Sequence, residues 1–271
     1  MRVKEKKVLL CVLFVYVFAG YAAATSTYFV DTDPANHLWQ NSGNWTGGAI
    51  ATDGTGDNAY VRSAALDLNT DTVGKFYNLF TGINGYGATV VNMTGGSLTS
   101  PATSTSGLSL GYTDDSTFNM IGGTFSLPNG MVRMGRAANK TATLNISGGT
   151  FTTYTLRLGY VTGAAAHVTV SGNGTLEINY SGSGISFLQP DTWLDIKGNG
   201  VLEWAGDQEY VINYAVTVDK KIFTTDPGKT IYAEYNETEG VTYAYAVAIP
   251  EPATVVLLGL ASVAMFNRRR K

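Results

Sequence analysis

The residue types that most often carry catalysis are scarce in this sequence. It contains two histidines, His37 and His167, and neither stands in a recognisable nucleophile motif. His167 occupies a position that recurs in an internal repeat, so we expect its side chain to face outward. The single cysteine, Cys11, lies in an apolar N-terminal segment, which leaves the body of the chain without a thiol nucleophile or a cysteine zinc site. We therefore predict no catalytic residue.

Carboxylates are the other residues that could do chemistry, because glycoside hydrolysis requires two of them at a defined separation. Between residues 88 and 176 the acids are Asp114 and Asp115, an adjacent pair typical of a turn. Two hypotheses remain open for the later acids: a solvated acidic surface, or a polysaccharide lyase or glycosidase in which two of them converge in a groove. These later acids are Glu177, Asp191, Asp195, Glu203, Asp207 and Glu209.

A short glycine-rich segment has some features of a calcium loop. Asp53-Gly54-Thr55-Gly56-Asp57 alternates oxygen-bearing side chains with glycines, but it lacks the third carboxylate and the terminal glutamate of stronger calcium motifs. The pattern favours a plain Asp-Gly turn. The sequence therefore predicts neither a metal site nor a cofactor.

The body of the chain is acidic. Between Thr25 and Ile249 there are ten basic and nineteen acidic residues, a net charge of −9, while the eight basic and two acidic residues of the termini bring the whole chain to −3. We expect no basic patch and no nucleic-acid partner, because phosphate backbones are bound by clustered lysine and arginine. The 32 glycines, 16 tyrosines and low charged fraction suit β-structure with tight turns.

The N-terminus has the three parts of a secretory signal peptide. Residues 2–7 are basic, residues 8–18 form an uninterrupted apolar run, and the small residues Ala22 and Ala24 stand at the −3 and −1 positions that signal peptidase requires. We predict a signal peptide over residues 1–24 that is cleaved after Ala24. The alternative is an uncleaved anchor helix, for which the apolar run is short.

The C-terminus combines a proline-rich motif with an apolar segment and a basic end. Pro250, Glu251 and Pro252 precede fourteen uncharged residues, 253–266, and the chain closes on a basic cluster that positive-inside topology would keep cytoplasmic: Arg268, Arg269, Arg270 and Lys271. Fourteen helical residues reach about 21 Å, whereas a hydrocarbon core is roughly 30 Å thick. The predicted transmembrane segment is thus better suited to temporary retention than to permanent anchorage.

These three parts, in this order, resemble the PEP-CTERM sorting domain over residues 249–271. The resemblance implies an exported protein whose tail is recognised by an exosortase, an integral-membrane cysteine peptidase-like enzyme. After processing, the protein would reach the cell surface or the extracellular space, often in species that make extracellular polysaccharide. The alternative is a plain single-pass tail anchor. The resemblance implies where the protein goes and leaves the chemistry of its body open.

The body contains an internal repeat. Five segments align on a glycine pair or its variant, with first glycines at 95, 122, 148, 172 and 198, spacings of 24 to 27 residues. In each copy, apolar residues stand two and four positions before the first glycine with a polar residue between them, which is the pattern of a strand with one buried face. A second strand follows in every copy and carries Leu98, Phe125, Phe151, Leu176 and Leu202.

A third strand motif interleaves with the first two at a spacing of 24 residues. It recurs as Leu108-Ser109-Leu110-Gly111, Val132-Arg133-Met134-Gly135 and Leu156-Arg157-Leu158-Gly159. Three short strands per copy predict an all-β parallel β-helix or β-solenoid with about 26 residues per turn, because such units bury their apolar faces only when stacked. A β-sandwich is the alternative.

The segments on either side of the repeats are predicted to be end caps. We divide the chain into a signal peptide (1–24), an N-terminal β cap with the first turns (25–87), solenoid repeats (88–204), a C-terminal β cap (205–248) and the sorting tail (249–271). Trp39 and Trp45 are expected to cover the first turn. Alternating Tyr-rich strands are predicted to close the other end: Tyr210–Val218, Thr230–Tyr235 and Val241–Val247.

Three functions are compatible with this sequence. The favoured one is a structural or adhesive protein of the cell surface or extracellular matrix, whose rows of Asn, Thr and Ser hydrogen-bond extracellular polysaccharide. The second is a carbohydrate-active enzyme that uses the late carboxylates. The third is a permanently tail-anchored protein. For the favoured function, the predicted partners are signal peptidase, an exosortase-like enzyme, extracellular polysaccharide, and the membrane before processing.

Overall fold

The computed structural model describes residues 26–30, 37–46, 58–62, 65–70, 72–83, 85–101, 103 and 107–249. These residues form the predicted β-solenoid, with about six turns of about 26 residues each. The strands, in chain order, are β1 (Ser26–Phe29), β2 (Asn58–Val61), β3 (Ala65–Leu68), β4 (Val73–Lys75), β5 (Asn78–Phe80), β6 (Thr89–Met93), β7 (Ser97–Thr99), β8 (Gly107–Leu110), β9 (Ser116–Met120), β10 (Thr124–Met134), β11 (Thr141–Leu158), β12 (Ala165–Ile178), β13 (Ile185–Phe187), β14 (Thr192–Ile196), β15 (Val201–Ala205), β16 (Ile222–Phe223), β17 (Lys229–Asn236) and β18 (Val241–Ala248). A 3₁₀ turn (Ser42–Asn44) and one helix, α1 (Glu209–Thr217), complete the described elements.

Parallel pairing arranges the solenoid strands into three faces. The first face contains β3, β6, β9, the first parts of β11 and β12, β14 and β16. The second contains β4, β7, the first part of β10, the middle of β11, the end of β12, and β15. The third contains β1, β2, β5, β8, the last parts of β10 and β11, and β13.

Like residues stack on like residues along the core. The predicted column of the second strand is in register through all its copies, and each of its five side chains is fully buried. Within it the rings of Phe125 and Phe151 stack with centroids 4.7 Å apart. Because adjacent strands lie about 4.8 Å apart, identical side chains at one position pack at van der Waals distance without gaps.

Glycines make the corner between the first and second faces. Gly149 has a φ of +74°, and a Cβ atom on it would lie 2.3 Å from the carbonyl oxygen of Gly123 in the preceding turn. A side chain is therefore excluded twice, by backbone conformation and by the close approach of the next turn. This explains why the glycine pair recurs at the repeat interval.

Aromatic side chains lie at the N-terminal end of the coil. Trp39 and Trp45 are buried with edge-to-face rings 4.7 Å apart, and Trp45 also contacts Phe29 of β1 edge-to-face. The indole nitrogen of Trp45 donates a hydrogen bond to the carbonyl of Trp39 at 2.7 Å. The preceding residue, Leu38, pairs with Asp67 of β3, which attaches this segment to the start of the first face.

The C-terminal end differs from the predicted all-β cap. The strands predicted over Thr230–Tyr235 and Val241–Val247 are confirmed as β17 and β18, an antiparallel hairpin whose β18 pairs with β15. The strand predicted over Tyr210–Val218 is wrong, because this segment is helix α1. Its Tyr and Val residues favour strands, but the buried residues Ile212 and Ala215 are three positions apart, which is helical spacing.

Several sequence predictions lie outside the described residues. They are the signal peptide with Ala22 and Ala24, the Asp53–Asp57 segment, the Pro250–Pro252 motif, the apolar segment 253–266 and the basic end Arg268–Lys271. Among the residues that the structure does describe, no helix is long and apolar enough to cross a membrane.

The role of Gly149 can be tested against a second glycine of similar conformation. Gly163 has a φ of +78°, but a Cβ atom there would meet no atom closer than the Asn139 side chain at 4.0 Å. Gly163→Ala should therefore cost about 1–2 kcal/mol for backbone strain alone. Gly149→Ala should cost about 3 kcal/mol or more, because the neighbouring turn must also move. Chemical denaturation measures both, and equal losses would show that close stacking at this corner is unimportant.

Candidate functional site

Asparagines form a hydrogen-bonded ladder on the outside of the first face. The Nδ2 atom of Asn145 donates to Oδ1 of Asn119 at 2.9 Å, and Asn119 donates to Asn92 at 3.0 Å. Asn92 in turn donates to Oδ1 of Asp67 at 3.0 Å. These amides bond one another from turn to turn, so the ladder stabilises the coil and is only partly available to a ligand.

His167 continues the outer surface of the first face, as predicted. Its ring stacks on Trp193 of the next turn with centroids 4.4 Å apart, and its Nε2 lies 3.0 Å from Oδ1 of Asp191. Both contacts join neighbouring turns. His37, the other histidine, accepts a backbone hydrogen bond from Asp67 through its carbonyl at the start of the same face. The two histidines therefore lie about four turns apart along the first face.

The late carboxylates divide between two faces. Asp195 is buried on the first face and accepts hydrogen bonds from the amide and hydroxyl of Thr225, both at 3.0 Å, and an ion pair from Lys197. Glu203 lies on the second face, in β15. Asp207 accepts from the amide of Glu209 at the start of α1. Asp195 and Asp207 thus have separate partners.

Two of the acids do meet. Glu177 and Glu203 stand at the same position of adjacent turns on the second face. Glu177 accepts a hydrogen bond from the Thr152 hydroxyl at 2.6 Å. Burial, then the charges of Glu177 and Glu239, raise the pKa of Glu203. This pair is the part of the structure that comes nearest to a carboxylate dyad.

The adjacent acids of the repeat core lie in the connection between β8 and β9, as predicted. Asp114 forms a 2.5 Å ion pair with Lys140 of the next turn, and that hydrogen bond is the main cause of the lowered pKa of Asp114. Asp115 accepts from the amide of Thr141 at 2.7 Å. Within the part of the chain that the structure describes, no group of three or more His, Cys, Asp or Glu side chains is arranged to hold a metal ion.

Ser109 belongs to a pattern that the sequence reasoning passed over. Gly107-Leu108-Ser109-Leu110-Gly111 has the Gly-x-Ser-x-Gly spacing of a nucleophile elbow, which places its serine on a strand-to-helix turn. Here the serine is central in β8, which pairs on both sides with β5 and β10. Its hydroxyl accepts a 3.3 Å hydrogen bond from Arg136. The context of a nucleophile is therefore missing.

Hydroxyl side chains form two parallel columns on the outside of the second face. They occupy alternate positions of the strands, on either side of the buried aromatic and leucine column. Each column is in register from turn to turn, so its hydroxyls repeat about every 4.8 Å. The first column consists of Ser97, Thr124, Thr150 and Thr175, and the second of Thr99, Ser126 and Thr152.

A cationic and aromatic surface on the third face was not predicted. Its outward column begins with three aromatic rings, Tyr28, Tyr60 and Phe80, stacked at 5.1 and 4.6 Å. The column continues through Ser109 to two arginines in direct register, and a third arginine lies beside it: Arg133, Arg157 and Arg136. The expectation that the body has no basic patch is therefore wrong, because stacking concentrates arginines that are dispersed in the sequence. The sequence feature that could have predicted this surface is an arginine at the same position of two repeat copies.

The chain continues from the hairpin directly into the tail. β18 ends at Ala248, and the amide of Ile249 still donates to the carbonyl of Gly228 at 2.9 Å. The family model described as the PEP-CTERM protein-sorting motif matches residues 248–271. The chain carries a PEP-CTERM sorting motif. No curated protein and no solved structure matches this chain.

The PEP-CTERM motif implies a secreted protein that an exosortase-type enzyme sorts and processes. The match begins at the last residue of β18, so the ordered hairpin and the sorting signal meet without an intervening linker. The motif confirms the predicted export and exosortase-type sorting. The function of the solenoid has to be argued from its surfaces.

The raised pKa of Glu203 gives a pH-dependent prediction. A carboxyl whose pKa is raised in the folded state favours folding when protonated, and that contribution is lost as the pH rises through its folded pKa. Glu203→Gln should therefore raise the melting temperature at pH 7 by roughly 2 °C, with no gain at about pH 3, where the wild-type side chain is protonated. Glu237→Gln, in the exposed hairpin turn, is the control and should leave the melting temperature unchanged. An equal gain at both pH values would contradict the electrostatic cause.

Proposed function

We propose that this chain is a structural or adhesive protein of the cell surface or extracellular matrix, delivered by an exosortase-type system and associated with extracellular polysaccharide. The observation that carries the proposal is the PEP-CTERM motif, which begins at the last residue of the hairpin that closes a β-solenoid. A regular coil of this kind displays the same side chains at a fixed interval along each face. Such a surface suits a ligand that also repeats.

The hydroxyl columns of the second face support association with sugars. Threonine and serine hydroxyls both donate and accept hydrogen bonds, as sugar hydroxyls do. The columns are in register, so a polysaccharide lying along the coil would meet equivalent groups at successive turns. The surrounding backbone is already paired in the parallel sheets, so binding would not need to order it.

The route to the surface follows from the two termini. Signal peptidase would cleave after Ala24, and the apolar segment 253–266 with its basic end would hold the chain in the inner membrane. An exosortase would then act at the motif Pro250-Glu251-Pro252. Membrane tethering is thus transient in this proposal, because the apolar segment is short for a lasting anchor.

The mass of the exported protein tests this route. The form recovered from the cell surface or medium should begin near Thr25 and end near the Pro-Glu-Pro motif. Replacing Pro250, Glu251 and Pro252 by alanine should cause the full-length tail to accumulate in the membrane fraction, since the processing enzyme loses its recognition site. Glu237→Ala, in the hairpin turn, removes a nearby carboxylate outside the motif and should be processed normally. An exported chain that still ends in Lys271 would contradict the proposal.

A second candidate function is polysaccharide cleavage by the Glu177–Glu203 pair. The specific observation in its favour is the raised pKa of Glu203 beside a second carboxylate, since a glycosidase needs one protonated and one ionised acid. Against it, Glu177 is occupied by the Thr152 hydroxyl, and the pair lies on a sheet face. We therefore favour the structural role.

Release of reducing ends from polysaccharides separates the two functions. The exported protein should release none above the rate seen with Glu203→Gln, because the structural proposal assigns Glu203 no catalytic role. The measurement uses purified protein with the host's extracellular polysaccharide and with dextran. Release by the wild type that falls a hundredfold or more in Glu203→Gln, about the loss of a general acid, would replace the structural proposal by the enzymatic one.

A further inference from the structure

Three arginines form one stripe on the third face, together with the residues that hold them. We call this the arginine stripe and define it as Ser109, Tyr112, Arg133, Arg136, Arg157 and Tyr160. Arg133 and Arg157 are direct partners in the parallel pairing of β10 with β11, so their side chains stand on adjacent turns about 4.8 Å apart. Arg136 follows β10 at the edge of the same face.

The stripe collects positive charge in a body of net charge −9. All four arginines between residues 25 and 249 lie on or beside the third face, the fourth being Arg62 at the end of β2. Among the residues that the structure describes, none of the ion pairs to carboxylates involves Arg136 or Arg157. Carboxylates of the described residues therefore do not neutralise these two arginines.

Stacked like charges are unfavourable unless an anion compensates them. Like charges directly opposite on neighbouring strands destabilise a sheet. Burial, followed by the charge of Arg136, lowers the pKa of Arg133, and Arg157 contributes in the same direction. The asparagine column of the first face and the hydroxyl columns of the second face avoid this repulsion over most of their length by repeating neutral side chains, and the pair Glu177–Glu203 is the exception. An external anion would remove the repulsion in the arginine stripe.

The guanidinium groups are oriented by aromatic rings. Arg136 lies over Tyr112 at 4.7 Å and near Tyr160 at 5.5 Å, and it donates to Ser109. Arg133 lies 5.5 Å from the same Tyr160 ring. Stacking holds a guanidinium plane while leaving edge N–H groups able to donate, which is the arrangement that binds carboxylates in bidentate fashion. Arg157 and Tyr160 are exposed at the surface.

We infer that the arginine stripe binds a carboxylated extracellular polysaccharide, with carboxylates of successive sugars paired to guanidinium groups on adjacent turns. The inference rests on the proposed extracellular role and adds the face and the chemical class of the ligand. A polymer with one carboxylate per sugar presents charges at intervals comparable to the spacing of the turns. The exposed ring of Tyr160 offers an apolar surface for the C–H face of a sugar ring.

A nucleic acid fits this surface less well. Duplex DNA carries one charge per about 1.7 Å of its length, and most of that charge would face the acidic body outside the arginine stripe. A sparsely charged polysaccharide would be repelled less by the rest of the surface, because the repulsion grows with the charge that the ligand carries. The two ligand classes can be separated by experiment.

Binding of polygalacturonate to the exported protein tests the inference. Wild-type protein is titrated with polygalacturonate, with neutral dextran of similar length, and with single-stranded DNA, at low and at raised salt. We expect binding to polygalacturonate that exceeds the other two and weakens as salt screens the charges. The double variant Arg136→Gln/Arg157→Gln should lose about tenfold or more in affinity, the effect of removing charged partners at an interface.

The matched control is Lys75→Gln/Lys220→Gln, which removes the same charge from exposed residues outside the arginine stripe. It should bind polygalacturonate like the wild type, and melting curves will show whether both double variants are folded. Equal losses in the two double variants would overturn the inference, as would DNA binding tighter than polygalacturonate binding. If polysaccharides bind and the arginine variant keeps full affinity, the arginine stripe is not the binding site, while the proposed association with polysaccharide stands. Absence of polygalacturonate binding would overturn the inference that the arginine stripe binds carboxylated polysaccharide. The sorting route is tested separately, by the mass of the exported protein.

Discussion

The register between neighbouring turns constrains every other part of this structure. Within the repeats, each strand pairs in parallel with the equivalent strand of the next turn. Each residue therefore stands about 4.8 Å from the residue at the same position of the next turn. Inside, this favours like apolar side chains in columns, which pack closely. At the corners it requires glycine, because Gly123 and Gly149 bring their backbones closer than a Cβ atom allows. The composition of the chain, rich in glycine and poor in charge, follows from this geometry.

The same register makes the outer surface informative about function. An amide stacked on an amide gains a hydrogen bond, as Asn92, Asn119 and Asn145 do. A charge stacked on a like charge gains none, so such columns are costly to the fold. The pairs Arg133–Arg157 and Glu177–Glu203 are the two places where the described repeats accept that cost. The two pairs lie on different faces. Because their charges are opposite, they suit different partners.

The PEP-CTERM tail bears on where the protein goes, and the solenoid bears on what it does there. The tail implies export and processing, while the function proposed for the solenoid rests on its exposed surfaces. The body has no disulfides to stabilise it outside the cell, since Cys11 lies in the predicted signal peptide. Its stability rests on the continuous apolar core and on the paired backbone of the three faces. The hairpin β17–β18 and helix α1 complete the described coil at the C-terminal end.

The sequence by itself determined the sorting motif and the solenoid, because both are carried by local order and spacing. The repeat interval was sufficient to predict the alternation of buried and exposed residues, including the buried side chains of Leu98, Phe125 and Phe151. It could not determine helix α1, where burial of Ile212 and Ala215 against the hairpin overrides the strand preference of Tyr and Val. Nor could it assemble the arginine stripe, because residues 24 positions apart become neighbours only when the turns stack. Tertiary structure thus decided which charges meet.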